Sequence, residues 1–144
     1  SHSKLSVVRG KDMWRITNAR AECNFFHEYK HQPEIIHALA QVNLLLKRLM
    51  PGEQKDENLF EILTHAFYFL ESKKETEGLI GEEIKAFERI LVIRILRELG
   101  YMADSKTLSV FFSSAWNKEL IVSMIEVKKN ALQEINNAIR ETQL

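Results

Sequence analysis

The residues best equipped for chemistry in this chain sit together in the stretch HEYKHQPEIIH, positions 27–37. His27, Glu28 and His31 have the H-E-x-x-H spacing, and His37 follows where some zinc peptidases place a third ligand. On a helix, two histidines four residues apart share one face. They can grip a Zn²⁺ ion while the intervening glutamate acts as general base on a bound water.

The flanking residues argue against that chemistry. The extended zinc signature needs a glycine where the helix ends and the chain turns toward the third histidine. Glu34 occupies that position here, and a residue with a Cβ fits a left-handed turn poorly. Pro33 disfavours helical geometry at Gln32, so His31 and His37 are expected on different elements. His27 and His31 then read as linker side chains and His37 as a helix-surface residue. A zinc metallopeptidase remains only as an alternative.

Other catalytic sets are weaker. Cys23 is the only cysteine, which excludes an internal disulfide and any zinc site built from several cysteines. The five glycines are scattered, so no phosphate-cradling loop is present, and His65 reads as a packed or surface side chain. The expectation is a non-enzyme with no catalytic residue, no metal and no cofactor.

The elements that would position a site follow from composition and periodicity. The 144 residues are 45% hydrophobic, enough for a single core, and 20 basic side chains balance 20 acidic ones. A net charge of zero gives no whole-molecule attraction to nucleic acid or membrane, so such binding must come from a local patch. No secretory leader or membrane-spanning run is read, and a reducing cytoplasmic setting is expected.

LSVV (5–8) and MWRITNA (13–19) are rich in β-branched and aromatic residues around RGKD, which predicts an N-terminal β-hairpin turning near Gly10. From Pro33 the period becomes helical. The first helix runs from Pro33 to the PGEQ break, with Ile35, Leu39, Val42, Leu46 and Leu49 inward. The second begins after Asp56 as N-cap, with Leu59, Leu63, Phe67 and Leu70 inward. The third, over 82–99, is apolar nearly all round between Ile90 and Leu96 and should be central, ending at Gly100. Arg94 interrupts that run and should reach solvent or a carboxylate at the bundle edge. A short helix near TLSVFFSSAW precedes a long last one with the stripe Leu120, Met124, Val127, Ala131, Ile135 and Ala138. The fold expected is mainly α, a bundle of about five helices with an N-terminal β-hairpin.

Two separated stretches resemble the RecO family of DNA repair proteins, the bacterial recombination mediators. VVRGKDMWRITNA (7–19) looks like the closing hairpin of that family's OB-fold, where a V-R-G turn and an R-[IL]-T strand recur. FERILVIRILRELGY (87–101) is similar to its central helix: Phe87, Glu88, Leu91, Leu99, Gly100 and Tyr101 match, with Leu96 one position off. LLLKRLMPGEQKDENLFEIL, between them, is similar to the family's helix, proline-containing loop and second helix. The resemblance divides the chain into 1–24, the hairpin remnant of an OB-fold, and 25–144, a helical bundle domain. Many relatives carry a four-cysteine zinc element after L-G-Y. MADSKTLSVFFSSAW stands there instead, so no metal is carried over.

What the resemblance implies is a non-enzymatic mediator, cytoplasmic and nucleoid-associated. It would bind single- and double-stranded DNA, dock the acidic, apolar-ended tail of single-strand-binding protein, and act with a ring-forming recombination partner. Arg9, Lys11, Trp14, Arg15 and Arg20 are the DNA-binding candidates, because clustered cations with an aromatic suit phosphates and stacked bases. An acidic tail needs an apolar pocket rimmed by cations. Lys47 with Arg48, Arg89 with Arg94 and Arg97, and Lys128 with Lys129 are the candidates for that rim. The competing expectation is a helical protein–protein interaction module that binds no DNA.

Overall fold

The computed structural model describes residues 29, 31–50, 56–74 and 78–142. All regular structure among them is helical: α1 (Pro33–Leu49), α2 (Glu57–Lys74), α3 (Glu82–Glu98), α4 (Ser109–Ser113), α5 (Lys118–Glu126) and α6 (Lys128–Glu141). The expected β-hairpin lies outside the described residues. The chain forms two compact units, Ser1–Asp56 and Glu57–Leu144.

In the first unit, α1 starts where the local chemistry dictates. Pro33 stands in the first turn, where its missing N–H has no helical partner to lose, and Glu34 beside it suits the positive end of the helix. His31 lies in the turn before the helix, which the Gln32 N–H closes by donating to the Tyr29 carbonyl at 2.8 Å. Ile35, Ala38, Val42, Leu46 and Leu49 form the buried stripe. Leu39, expected inward, is half-buried; Ala38 lies nearer the centre of the stripe that its larger neighbours define.

The second unit is organised around α3, which packs against α2, α4, α5 and α6. Ile90, Leu91, Ile93, Ile95 and Leu96 are completely shielded from solvent. A helix touched on several sides must be apolar on several sides, which is why this belt lacks the usual polar face. Gly81 takes φ 53° at its N-cap, and the Ile80 N–H donates to Glu83 Oε1 at 3.2 Å. At its other end the Gly100 N–H donates to Arg97 O at 3.1 Å and the Tyr101 N–H to Leu96 O at 2.8 Å. That is the Schellman arrangement, and Gly100 supplies its left-handed residue at φ 85°. The Leu-Gly-Tyr ending of this helix thus has a conformational cause.

On α2 the buried residues are Leu59, Leu63, Ala66, Phe69 and Leu70, whereas Phe67 is half-buried. Phe69, rather than Phe67, turns its ring toward α3 and stacks with Phe87 at 6.2 Å between centroids. Asn117 caps α5, its side-chain oxygen accepting the Leu120 N–H at 2.8 Å. The expected long last helix is divided at Val127 (φ −104°, ψ 23°) into α5 and α6. The Val127 N–H still reaches Ser123 O at 3.3 Å and the Ala131 N–H reaches Val127 O at 3.0 Å, so one stripe continues across the break. Leu120, Met124, Ala131, Ile135 and Ala138 are buried along it, and Val127 is half-buried. Glu83 pairs with Lys118, and Glu82 with Lys128 at 3.7 Å, tying the start of α3 to the starts of α5 and α6.

Candidate functional site

Arg94 and Arg97 lie three residues apart on α3 and therefore share a face. Arg94 does not meet a carboxylate. Its Nε donates to the Phe111 carbonyl and its Nη2 to the Ser114 carbonyl, each at 2.6 Å. These carbonyls belong to the C-terminal end of α4, where peptide oxygens lack helical partners and the dipole favours a cation. Of the expected solvent or carboxylate, the carboxylate is not met: backbone oxygens offset the burial cost, and the half-buried side chain still lines an open cleft. The guanidinium also lies 4.7 Å from the Trp116 ring centroid, a cation–π distance. Trp116 in turn packs on Phe69 at 5.3 Å and Phe87 at 4.9 Å. Burial pulls the Arg94 pKa down to about 10, which leaves it charged at neutral pH.

Arg97 is held more loosely. Its Nε pairs with Asp104 Oδ1 at 2.6 Å, and its guanidinium lies 4.8 Å from the Phe112 ring centroid. Both ion-pair partners are well exposed, so the pair is worth roughly 0–1 kcal/mol and leaves Arg97 free to exchange partners.

Between these groups opens a cleft of about 330 Å³ lined by Ile62, Arg94, Arg97, Glu98 and Phe112. Its lining is more polar than apolar: the donors Arg94 does not give to α4, the Asp104-paired Arg97 and the Glu98 carboxylate, beside the Phe112 ring and Ile62. Forked donors beside apolar surface suit a carboxylate carried on an apolar body.

The other rim candidates are placed elsewhere. Arg89 is only 7% exposed and its Nη1 is buried without a hydrogen-bond partner, so it is no part of an accessible rim. Five residues separate it from Arg94 on the helix, which turns it to a different face. Lys47 and Arg48 are exposed in the last turn of α1, in the first unit. Lys128 is half-buried in its pair with Glu82, and Lys129 is exposed. The DNA-binding candidates Arg9, Lys11, Trp14, Arg15 and Arg20 lie outside the described residues, as do Cys23 and His27. His31 in its turn and exposed His37 on α1 do occupy different elements, as Pro33 requires, and His65 is a surface side chain of α2.

Sequence reasoning missed Ile62, Glu98, Asp104, Phe112 and Trp116. The spacing of Arg94 and Arg97 signals a shared face, but nothing in the pattern brings Ile62 or Phe112 to it. Among the described residues no His, Cys, Asp and Glu side chains group to hold a metal ion, and no helix is long and apolar enough to cross a membrane. Comparison with protein-family models, curated proteins and solved structures gives no match to this chain.

Proposed function

We propose that this chain is a RecO-like recombination-mediator fragment whose helical part docks an acidic peptide with a large apolar end. The single observation that supports this is the cleft on α3. Two guanidinium groups, Arg94 and Arg97, converge there with Phe112 and Ile62. Arg94 is fixed in place by α4, so its remaining N–H groups are presented with little entropy left to lose. Arg97 provides the adjustable charge. The tail of a single-strand-binding protein is the partner whose chemistry fits both the cleft and the resemblance. In this proposal DNA is met separately, through the basic N-terminal residues Arg9, Lys11 and Arg15. A ring-forming repair protein is the further partner that the resemblance implies.

The test is a titration of the whole chain with a fluorescent acidic peptide ending in phenylalanine. Arg97→Ala should weaken binding about tenfold or more while leaving the melting temperature nearly unchanged, since exposed ion pairs add little stability. Equal affinity in wild type and variant removes the cleft from consideration. A labelled oligonucleotide titrated at two salt concentrations separates the mediator from a purely protein-binding helical module, because phosphate contacts weaken steeply with salt.

A further inference from the structure

The cleft and the short helix α4 share their arginines. A five-residue helix cannot hold itself in water, since nucleation costs more than so few hydrogen bonds return. Leu108 and Phe111 anchor its start and middle by full burial. Past Phe111 the burial thins: Phe112 is half-buried and Ser113 exposed, until Trp116 packs on Phe69 and Phe87. What fastens this end is the pair of Arg94 bonds to Phe111 and Ser114, with Arg97 against the Phe112 ring.

Those groups are also cleft lining. Phe112 forms one wall, and Arg94 and Arg97 supply the donors. Arg94 is half-buried and lines the cleft, so the donors it does not give to α4 are on the cleft side. If the end of α4 detaches, Arg94 loses the two carbonyls that orient it and Phe112 leaves the wall. The cleft then ceases to exist as a binding surface.

We propose that cleft occupancy and the attachment of the α4 end are thermodynamically coupled through Arg94: a carboxylate-bearing ligand binds only the attached state, and so locks the segment Phe112–Trp116 onto α3. This rests on the docking proposal above and adds a regulatory property to the same site. By linkage the coupling is reciprocal, so whatever loosens the α4 end also weakens the ligand. A partner that recognises Val110 or Ser113 on the exposed side of α4 would thereby change affinity in a cleft it does not touch.

The experiment is residue-resolved amide hydrogen exchange on the whole chain, with and without an acidic hexapeptide ending in phenylalanine. Its affinity is measured in parallel by fluorescence anisotropy. The Ser114 N–H, which donates to Val110 O at 3.2 Å, reports the α4 end, and the Thr142 N–H in the last turn of α6, which donates to Ile139 O at 3.0 Å, is the internal reference. At a free peptide concentration ten times Kd, exchange at Ser114 should slow about tenfold through closure of the ligand-competent state, with a much smaller change at Thr142, whose local opening leaves the cleft intact. In Arg97→Ala, at the same peptide concentration, the gain at Ser114 should largely vanish. Peptide binding without slowing at Ser114 overturns the coupling and leaves the docking proposal standing. Equal slowing at Ser114 and Thr142 also overturns it, since local opening of the last turn of α6 leaves the cleft intact. No binding by wild type overturns the docking proposal and the coupling together.

Discussion

Helices α4 and α6 both pack on α3, and different forces hold them there. α6 has fourteen residues and buries Ala131, Ile135 and Ala138 along one stripe, with its charged residues on the other face. Its attachment is distributed over apolar contacts, each exchangeable for a residue of similar size. α4 has five residues, and its end is fastened by one side chain from seventeen and twenty residues earlier in the chain. Its attachment is concentrated, directional and intolerant of substitution. A helix held by area survives small changes. One whose end adds two directed hydrogen bonds to the burial of Leu108 and Phe111 is more sensitive there, and that is where a ligand can exert leverage.

Leu91 underlies the whole unit, being fully buried at the centre of the belt. Leu91→Ala should destabilise the domain by roughly 2–5 kcal/mol in denaturant titration, through lost burial and a residual cavity. Because that loss falls on the unit as a whole, amide exchange should accelerate at the buried Ala131 as well as at Ser114. Arg94→Met tests the contrast itself. Two charge-assisted bonds disappear while the aliphatic stem is kept, and a loss of about 1–3 kcal/mol is expected. Amide exchange should accelerate at Ser114 far more than at Thr142 in the last turn of α6. Equal acceleration at the two amides would mean that α4 is held by area after all.

The smallest expected effect concerns the ionic ties at the other end of α3. The Lys118 ammonium that hydrogen-bonds Glu83 holds that carboxyl below its ordinary value of 4.5, assisted by the Ile80 N–H and opposed by desolvation. A carboxyl lowered in the folded state stabilises above its unfolded pKa, and the contribution is lost as pH falls through the folded value. Glu83→Gln should therefore cost about 0.5 kcal/mol near pH 7, and the gap to wild type should close in acid below pH 4.5. A gap that persists unchanged at low pH would assign the effect to packing, and would bring α5 closer to the area-held behaviour of α6.

The same contrast explains how much of the fold and the cleft is legible in the amino-acid sequence. Pro33 and Gly100 mark boundaries through local rules, and α3 and the stripe shared by α5 and α6 declare themselves by period, whereas the Asn117 cap and the division at Val127 do not. Small residues are the systematic blind spot on α1 and α2. Ala38 and Ala66 are buried in stripes where the pattern favours Leu39 and Phe67, because size weighs more than angular position in a pattern. The Arg94 bonds leave no such signal. Their acceptors are main-chain oxygens, which every residue possesses, so no residue type announces them. Phe112 and Ile62 reach the cleft from different helices by tertiary packing alone, and only the spacing of Arg94 and Arg97 carries a trace of the site.

The placement of Trp116 has an optical consequence. Its indole N–H is buried without an acceptor, and its ring is enclosed by Phe69, Phe87 and the Arg94 guanidinium. An indole in such a setting has little water to relax around its excited state. Its emission should lie toward the blue, and its N–H proton should resonate upfield of a hydrogen-bonded one. The chain contains only one other tryptophan, Trp14, far away in sequence. With Trp14 replaced by phenylalanine, the colour and intensity of a single fluorophore would follow, in real time and without a label, whether the connection between α4 and α5 is seated.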